Sequence, residues 1–123
     1  MGGSILVVDD EPAVRDLLSA NLQRAGYKVM TAGDVPQAEA LVRDTRPDMV
    51  LLDWVLPGIP GLTFARRLRS DQRTKDISIV LLAINQAALH FFYVANEPSS
   101  LLYALRVLAF GIIIAAIVDK NLA

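Results

Sequence analysis

Apolar residues cluster in four short runs along the first two thirds of the chain: Ile5–Val8, Tyr27–Ala32, Asp48–Asp53 and Ile77–Ala83. Runs of this length, with β-branched members and polar or turn-forming flanks, read as strands, the third being the most completely apolar. Between them the period changes. After Pro12, suited to a first helical turn, Val14, Leu17, Leu18 and Leu22 recur at helical spacing until Gly26, a C-terminal stop. Asp34 is placed to cap a second helix through about Arg43, with Ala38, Leu41 and Val42 inward, closed by Thr45-Arg46-Pro47. The turn-rich segment Leu56-Pro57-Gly58-Ile59-Pro60-Gly61 precedes a third helix, Leu62–Ser70. Repeated β-α units of this length predict an α/β fold: a parallel, doubly wound sheet with right-handed crossovers.

Beyond Ala83 the pattern admits two readings. In one, Pro98-Ser99-Ser100 starts a helix Leu101–Phe110, Gly111 stops it, and Ile112–Val118 is the fifth strand, ending at Asp119-Lys120. Local propensity favours this version, because Ile112-Ile113-Ile114 is β-branched. In the other, residues 86–96 form a helix, Leu101–Val107 is the fifth strand, and Phe110–Leu122 is a final helix. That version keeps five regular α/β units.

Composition changes the picture chiefly at its break. The chain has 123 residues, enough for one domain with a full core, and 54% of them are hydrophobic. Of 12 basic and 13 acidic residues, only Glu97, Arg106, Asp119 and Lys120 lie beyond residue 83, so residues 84–123 form a divergent, apolar third. A net charge of −1 gives no support for binding a nucleic-acid backbone. The absence of cysteine excludes disulfides and thiolate metal sites and agrees with a cytoplasmic location. Met1-Gly2-Gly3-Ser4 lacks the basic start of a signal peptide and has the composition of a cloning remnant.

Candidate chemistry lies at two strand ends. The first run closes on Asp9-Asp10-Glu11 and the third on Asp53. Open parallel sheets bind ligands beyond the carboxyl ends of their strands, so neighbouring strands would bring Asp9, Asp10 and Asp53 to one rim. Three carboxylates there require a cation, and hard oxygen ligands with room for water and phosphate suit Mg²⁺. Such a site serves phosphoryl transfer to a carboxylate. Glu11 reads as an acid at the positive end of a helix.

Ile5-Leu6-Val7-Val8-Asp9-Asp10-Glu11-Pro12 and Leu51-Leu52-Asp53-Trp54-Val55-Leu56-Pro57-Gly58, with Gly61 following, resemble the receiver domain of bacterial two-component response regulators, of the winged-helix transcription-factor type. The resemblance covers residues 5–83. It implies a five-stranded flavodoxin-like sheet, with the whole chain, 1–123, as one receiver-like domain. It also implies a phosphoacceptor at Asp53, charged by a sensor histidine kinase, and Mg²⁺ held by Asp9, Asp10, Asp53 and the backbone carbonyl of Val55. Such a domain is not a conventional enzyme. The family further carries a Ser or Thr ending the fourth strand and a Lys-Pro ending the fifth. The first position is Ala83, which lacks the hydroxyl, and no Lys-Pro exists. Lys120 would supply the cation in the first reading of the C-terminal third; Arg106 is the nearest cation in the second.

These departures leave an alternative: a non-switching pseudo-receiver, or an engineered receiver with altered residues beyond 84, acting as a protein–protein interaction or dimerisation module. His90, in Leu89-His90-Phe91-Phe92-Tyr93, reads as a packed histidine, and Trp54 as rim cover. Arg66, Arg67, Arg69, Arg73 and Lys75, interspersed with acids, read as a solvated face. Leu101–Val118 carries one charge, Arg106, and just reaches the length of a membrane span. Gly111 and the shared sheet favour burial instead. Apolar cover for this segment predicts a homodimer through the C-terminal elements, swapped exchange being one form of it.

Overall fold

The computed structural model describes residues 3–53 and 56–82, together with 116 and 118–120 near the C-terminus. Seven elements alternate: β1 (Ser4–Val8), α1 (Pro12–Arg24), β2 (Lys28–Ala32), α2 (Val35–Thr45), β3 (Met49–Asp53), α3 (Gly61–Ser70) and β4 (Ser78–Leu82). All strand pairs are parallel, and the order is β2-β1-β3-β4. β1 and β3 are therefore central. That position explains why Ile5–Val8 and Met49–Leu52 are apolar at every residue: each face of the sheet carries a helix layer.

Alternation along the strands divides the core in two. Leu6, Val8, Val50 and Leu52 point to the side of α2 and α3, packing with Val35, Ala38, Val42, Phe64 and Leu68. Ile5, Val7, Met49 and Leu51 point the other way, against Val14, Leu18 and Leu22 of α1. Full burial of each such side chain is worth about 1.5–3 kcal/mol, so the central strands anchor both layers.

The helix ends follow local chemistry. Asp34 accepts a hydrogen bond from the Gln37 N–H (2.9 Å) at the start of α2, as its capping role requires. α1 ends with Gly26 at φ 100°, where the Tyr27 N–H donates to the Leu22 carbonyl (3.1 Å) and the Gly26 N–H to that of Gln23 (3.0 Å). α2 ends differently, on Arg46 in the left-handed region at φ 48°.

The C-terminal third corrects one expectation. Ala116 and residues 118–120 are helical, so the end of the strand expected at Ile112–Val118 is helix instead; residues 112–115 and 117 lie outside the described residues. Lys120 accordingly does not end a strand; it is exposed on a helix. Val118 is fully buried against Ile5, Val7, Met49 and Leu51, and the Tyr27 hydroxyl donates to Asp119. Covering the α1 side of the sheet outweighed the weak β preference of the local sequence. Helix here agrees with the second reading. Its proposed strand at Leu101–Val107 lies outside the described residues, as do His90 and Arg106. Among the described residues no helix is long and apolar enough to cross a membrane.

Arg46→Gly is expected to stabilise the domain by about 0.5–1 kcal/mol in chemical denaturation, since glycine relieves the left-handed conformation at small entropic cost.

A candidate metal and phosphoacceptor site at the strand ends

The parallel register brings the acids together. Val8 stands beside Leu52, so Asp9 and Asp53 are the next residues along two adjacent strand paths. The chain after Asp9 turns away into α1, which leaves Asp10 exposed at the rim. One carboxylate oxygen from each of Asp9, Asp10 and Asp53 lies within 4.8 Å of the others. The three residues singled out from sequence thus converge. Val55, Trp54 and Ala83 lie outside the described residues, although Leu82, the residue before Ala83, is the register partner of Asp53.

Asp9 is the most buried of the three and is 5% exposed. Its N–H donates to the Ala32 carbonyl (3.1 Å), and its Oδ1 accepts from the Glu11 N–H (2.9 Å). Its carbonyl accepts from Nη1 of Arg15 on α1 (2.7 Å). Burial, reinforced by the charges of Asp53 and Asp10, pushes the Asp9 carboxyl up to about 6, against the Glu11 N–H and the Arg15 charge, which favour ionisation. A buried acid held among other acids is a site lacking positive charge.

The donor set fits Mg²⁺. Neighbouring and opposite oxygens around an ion with bonds near 2.1 Å stand roughly 3–4 Å apart, a spacing compatible with three oxygens within 4.8 Å of one another. Only oxygen donors are present, and exposed Asp10 leaves room for water and a phosphoryl group. Below the site, Gly58 at φ 76° and buried Leu56 turn the chain from β3 toward α3.

Arg15 was not singled out from the sequence. Its signal was a cation four residues into a helix, where side chains lean toward the N-terminus and reach the preceding turn. The basic cluster on and after α3 is engaged locally instead. Arg67 pairs with Glu39 (3.1 Å) and Arg73 with Asp71 (3.2 Å), while Arg69 Nη1 donates to the Lys75 and Ile77 carbonyls.

The chain is similar to known proteins. The family model for the response regulator receiver domain matches residues 5–95. The phosphate regulon transcriptional regulatory protein PhoB of Pseudomonas aeruginosa is 45% identical over 82 residues, 67% of this chain and 36% of PhoB. The DNA-binding dual master transcriptional regulator RpaA of Synechocystis is 46% identical over 78 residues, 63% of this chain and 32% of RpaA. The chain therefore spans about a third of the length of these curated relatives. Among solved structures, the receiver domain of the sensor histidine kinase PA1611 of Pseudomonas aeruginosa superposes with a TM-score of 0.64 at 30% identity, covering 69% of this chain and 70% of that one. That receiver holds a magnesium ion coordinated in its active-site cleft.

The Asp9 shift has a measurable consequence. A carboxyl whose pKa is raised on folding contributes stability that is complete below the unfolded value near 3.8 and lost as pH rises through about 6. In EDTA, Asp9→Asn is therefore expected to be more stable than the unaltered chain at neutral pH, by up to roughly 2–3 kcal/mol. Denaturation across the pH range should show this advantage shrinking below about 6 and vanishing near 3.8.

Proposed function

Because this chain belongs to the response regulator receiver domain family, we propose that Asp53 is its phosphoacceptor in two-component signalling and that Asp9, Asp10 and Asp53 bind Mg²⁺. The carrying observation is the convergence of these three carboxylates at the ends of β1 and β3. The Val55 carbonyl completes the proposed ligand set, two residues beyond the acceptor.

Bound Mg²⁺ supplies the positive charge that lets a carboxylate and a phosphoryl group approach, and it aligns the phosphoryl oxygens. Asp53 supplies the nucleophile. One of its oxygens forms a bond to phosphorus as the bond from phosphorus to the donor histidine nitrogen breaks, and the released imidazole carries the electron pair. Asp9, fixed at its N–H, carbonyl and Oδ1, would supply a metal ligand from a constrained position. Asp10, at the exposed rim, contributes charge without closing the cleft.

The donor partner in this reading is a sensor histidine kinase, and the compartment is the cytoplasm. The domain acts as a switchable phosphoacceptor rather than as an enzyme turning over a separate substrate. A homodimer through the C-terminal elements is part of the proposal, supported by the apolar composition of residues 84–123.

A second reading, a receiver that accepts phosphate without the usual response, is favoured by one observation. The residue following the register partner of Asp53 is Ala83, which has no hydroxyl to donate to a phosphoryl oxygen.

Incubation with Mg²⁺ and a small phosphodonor is expected to add one phosphoryl group by mass spectrometry, lost in Asp53→Asn and in EDTA. Modification that persists in Asp53→Asn refutes the assignment. Ala83→Thr is expected to increase the change in sedimentation produced by Mg²⁺ and beryllofluoride. An equal response from both chains would remove the basis of the non-switching reading.

A further inference from the structure

We propose that Arg15 is a positioning residue for the Mg²⁺ site, holding the Asp9-Asp10 turn in its metal-binding form through the Asp9 main chain. This inference rests on the phosphoacceptor reading of the same site and adds to it a residue outside the proposed ligand set.

Three observations converge on the role. Arg15 Nη1 donates to the Asp9 carbonyl at 2.7 Å, a short, charge-assisted bond to the peptide that links the two proposed ligands. The same turn is held from the other side by the Asp9 N–H on the Ala32 carbonyl. Finally, the guanidinium lies across Gly33 in the turn between β2 and α2: a Cβ there would stand 3.1 Å from Nη1. Gly33 is not in a left-handed conformation, so its lack of a side chain serves space rather than backbone geometry. The guanidinium thus joins the turn after β1 to the turn after β2, and Asp9 sits at the junction.

Charge and position act oppositely, which makes the role testable by sign. A cation near Asp9 repels Mg²⁺, so removing it would tighten metal binding if charge were its main effect. If Arg15 instead fixes the Asp9-Asp10 peptide, removing it releases the ligands from register and weakens binding. Outer-shell partners of metal ligands characteristically contribute about tenfold or more in affinity.

The test is a Mg²⁺ titration of the intact chain followed by fluorescence of Trp54, its single tryptophan, adjacent in sequence to Asp53. Melting of each metal-free chain is measured in parallel. Arg15→Met is expected to raise the Mg²⁺ dissociation constant about tenfold. Arg15→Lys, which keeps the charge and one donor, should recover part of this loss. Gly33→Ala leaves every charge in place and presses on the guanidinium, which must give by a few tenths of an ångström and lengthen its bond to Asp9. A smaller rise is expected there, and this variant decides the matter should Arg15→Met fail to fold.

Unchanged or tighter Mg²⁺ binding in Arg15→Met, or unchanged binding in Gly33→Ala when Arg15→Met is unfolded, overturns the positioning role. The phosphoacceptor reading would survive that result, provided the unaltered chain binds Mg²⁺ and Asp53→Asn does not. No Mg²⁺ response from the unaltered chain overturns both.

Discussion

Parallel pairing of β1 with β3 places like charges side by side at the end of two buried strands, and much else in the domain follows from that repulsion. Val8 and Leu52 are register partners, so the first polar residues beyond them, Asp9 and Asp53, cannot avoid each other. Both strands are apolar at four consecutive positions and packed on both faces. A one-residue slip would exchange the two cores and is strongly disfavoured. The scaffold's stability thereby enforces the proximity of acids that would otherwise separate.

The local structure around Asp9 shows how such a group is tolerated. Its N–H, carbonyl and one carboxylate oxygen are satisfied by Ala32, Arg15 and Glu11, which leaves burial of the carboxyl and its acidic neighbours as the unfavourable interactions. The raised pKa of Asp9 records what remains. A divalent ion at the proposed site would convert this local cost into binding energy. Stability given up there and metal affinity would then have the same origin, as where stability is traded for function.

At the opposite end of the chain the balance is different. Val118 is buried on the α1 side of the sheet, in one cluster with Ile5, Val7, Met49 and Leu51. Asp119 reaches Tyr27 from the same segment. Val118 therefore contributes to the core even where the receiver motifs have lapsed. Core packing asks only for apolar volume, whereas a hydroxyl beside Asp53 or a cation at a strand end must be one particular group. That difference accounts for a domain that keeps its fold while carrying Ala83 at the fourth strand's end.

Much of the molecule was legible along the chain. The alternation of apolar runs and helical periods marked β1 through β4 and α1 through α3, with boundaries displaced by one or two residues at frayed ends such as Thr45. The acids at the ends of Ile5–Val8 and Met49–Leu52 identified the candidate site, because strand direction and parallel topology already imply a common rim. Side-chain periodicity carries this information locally. The left-handed Arg46, the clasp from Arg15 to Asp9 across Gly33, and the helical state of residues 116 and 118–120 were decided only in three dimensions. Each depends on partners distant in sequence or on a vacant sheet face, and secondary-structure propensities of a fraction of a kilocalorie cannot prevail against burial.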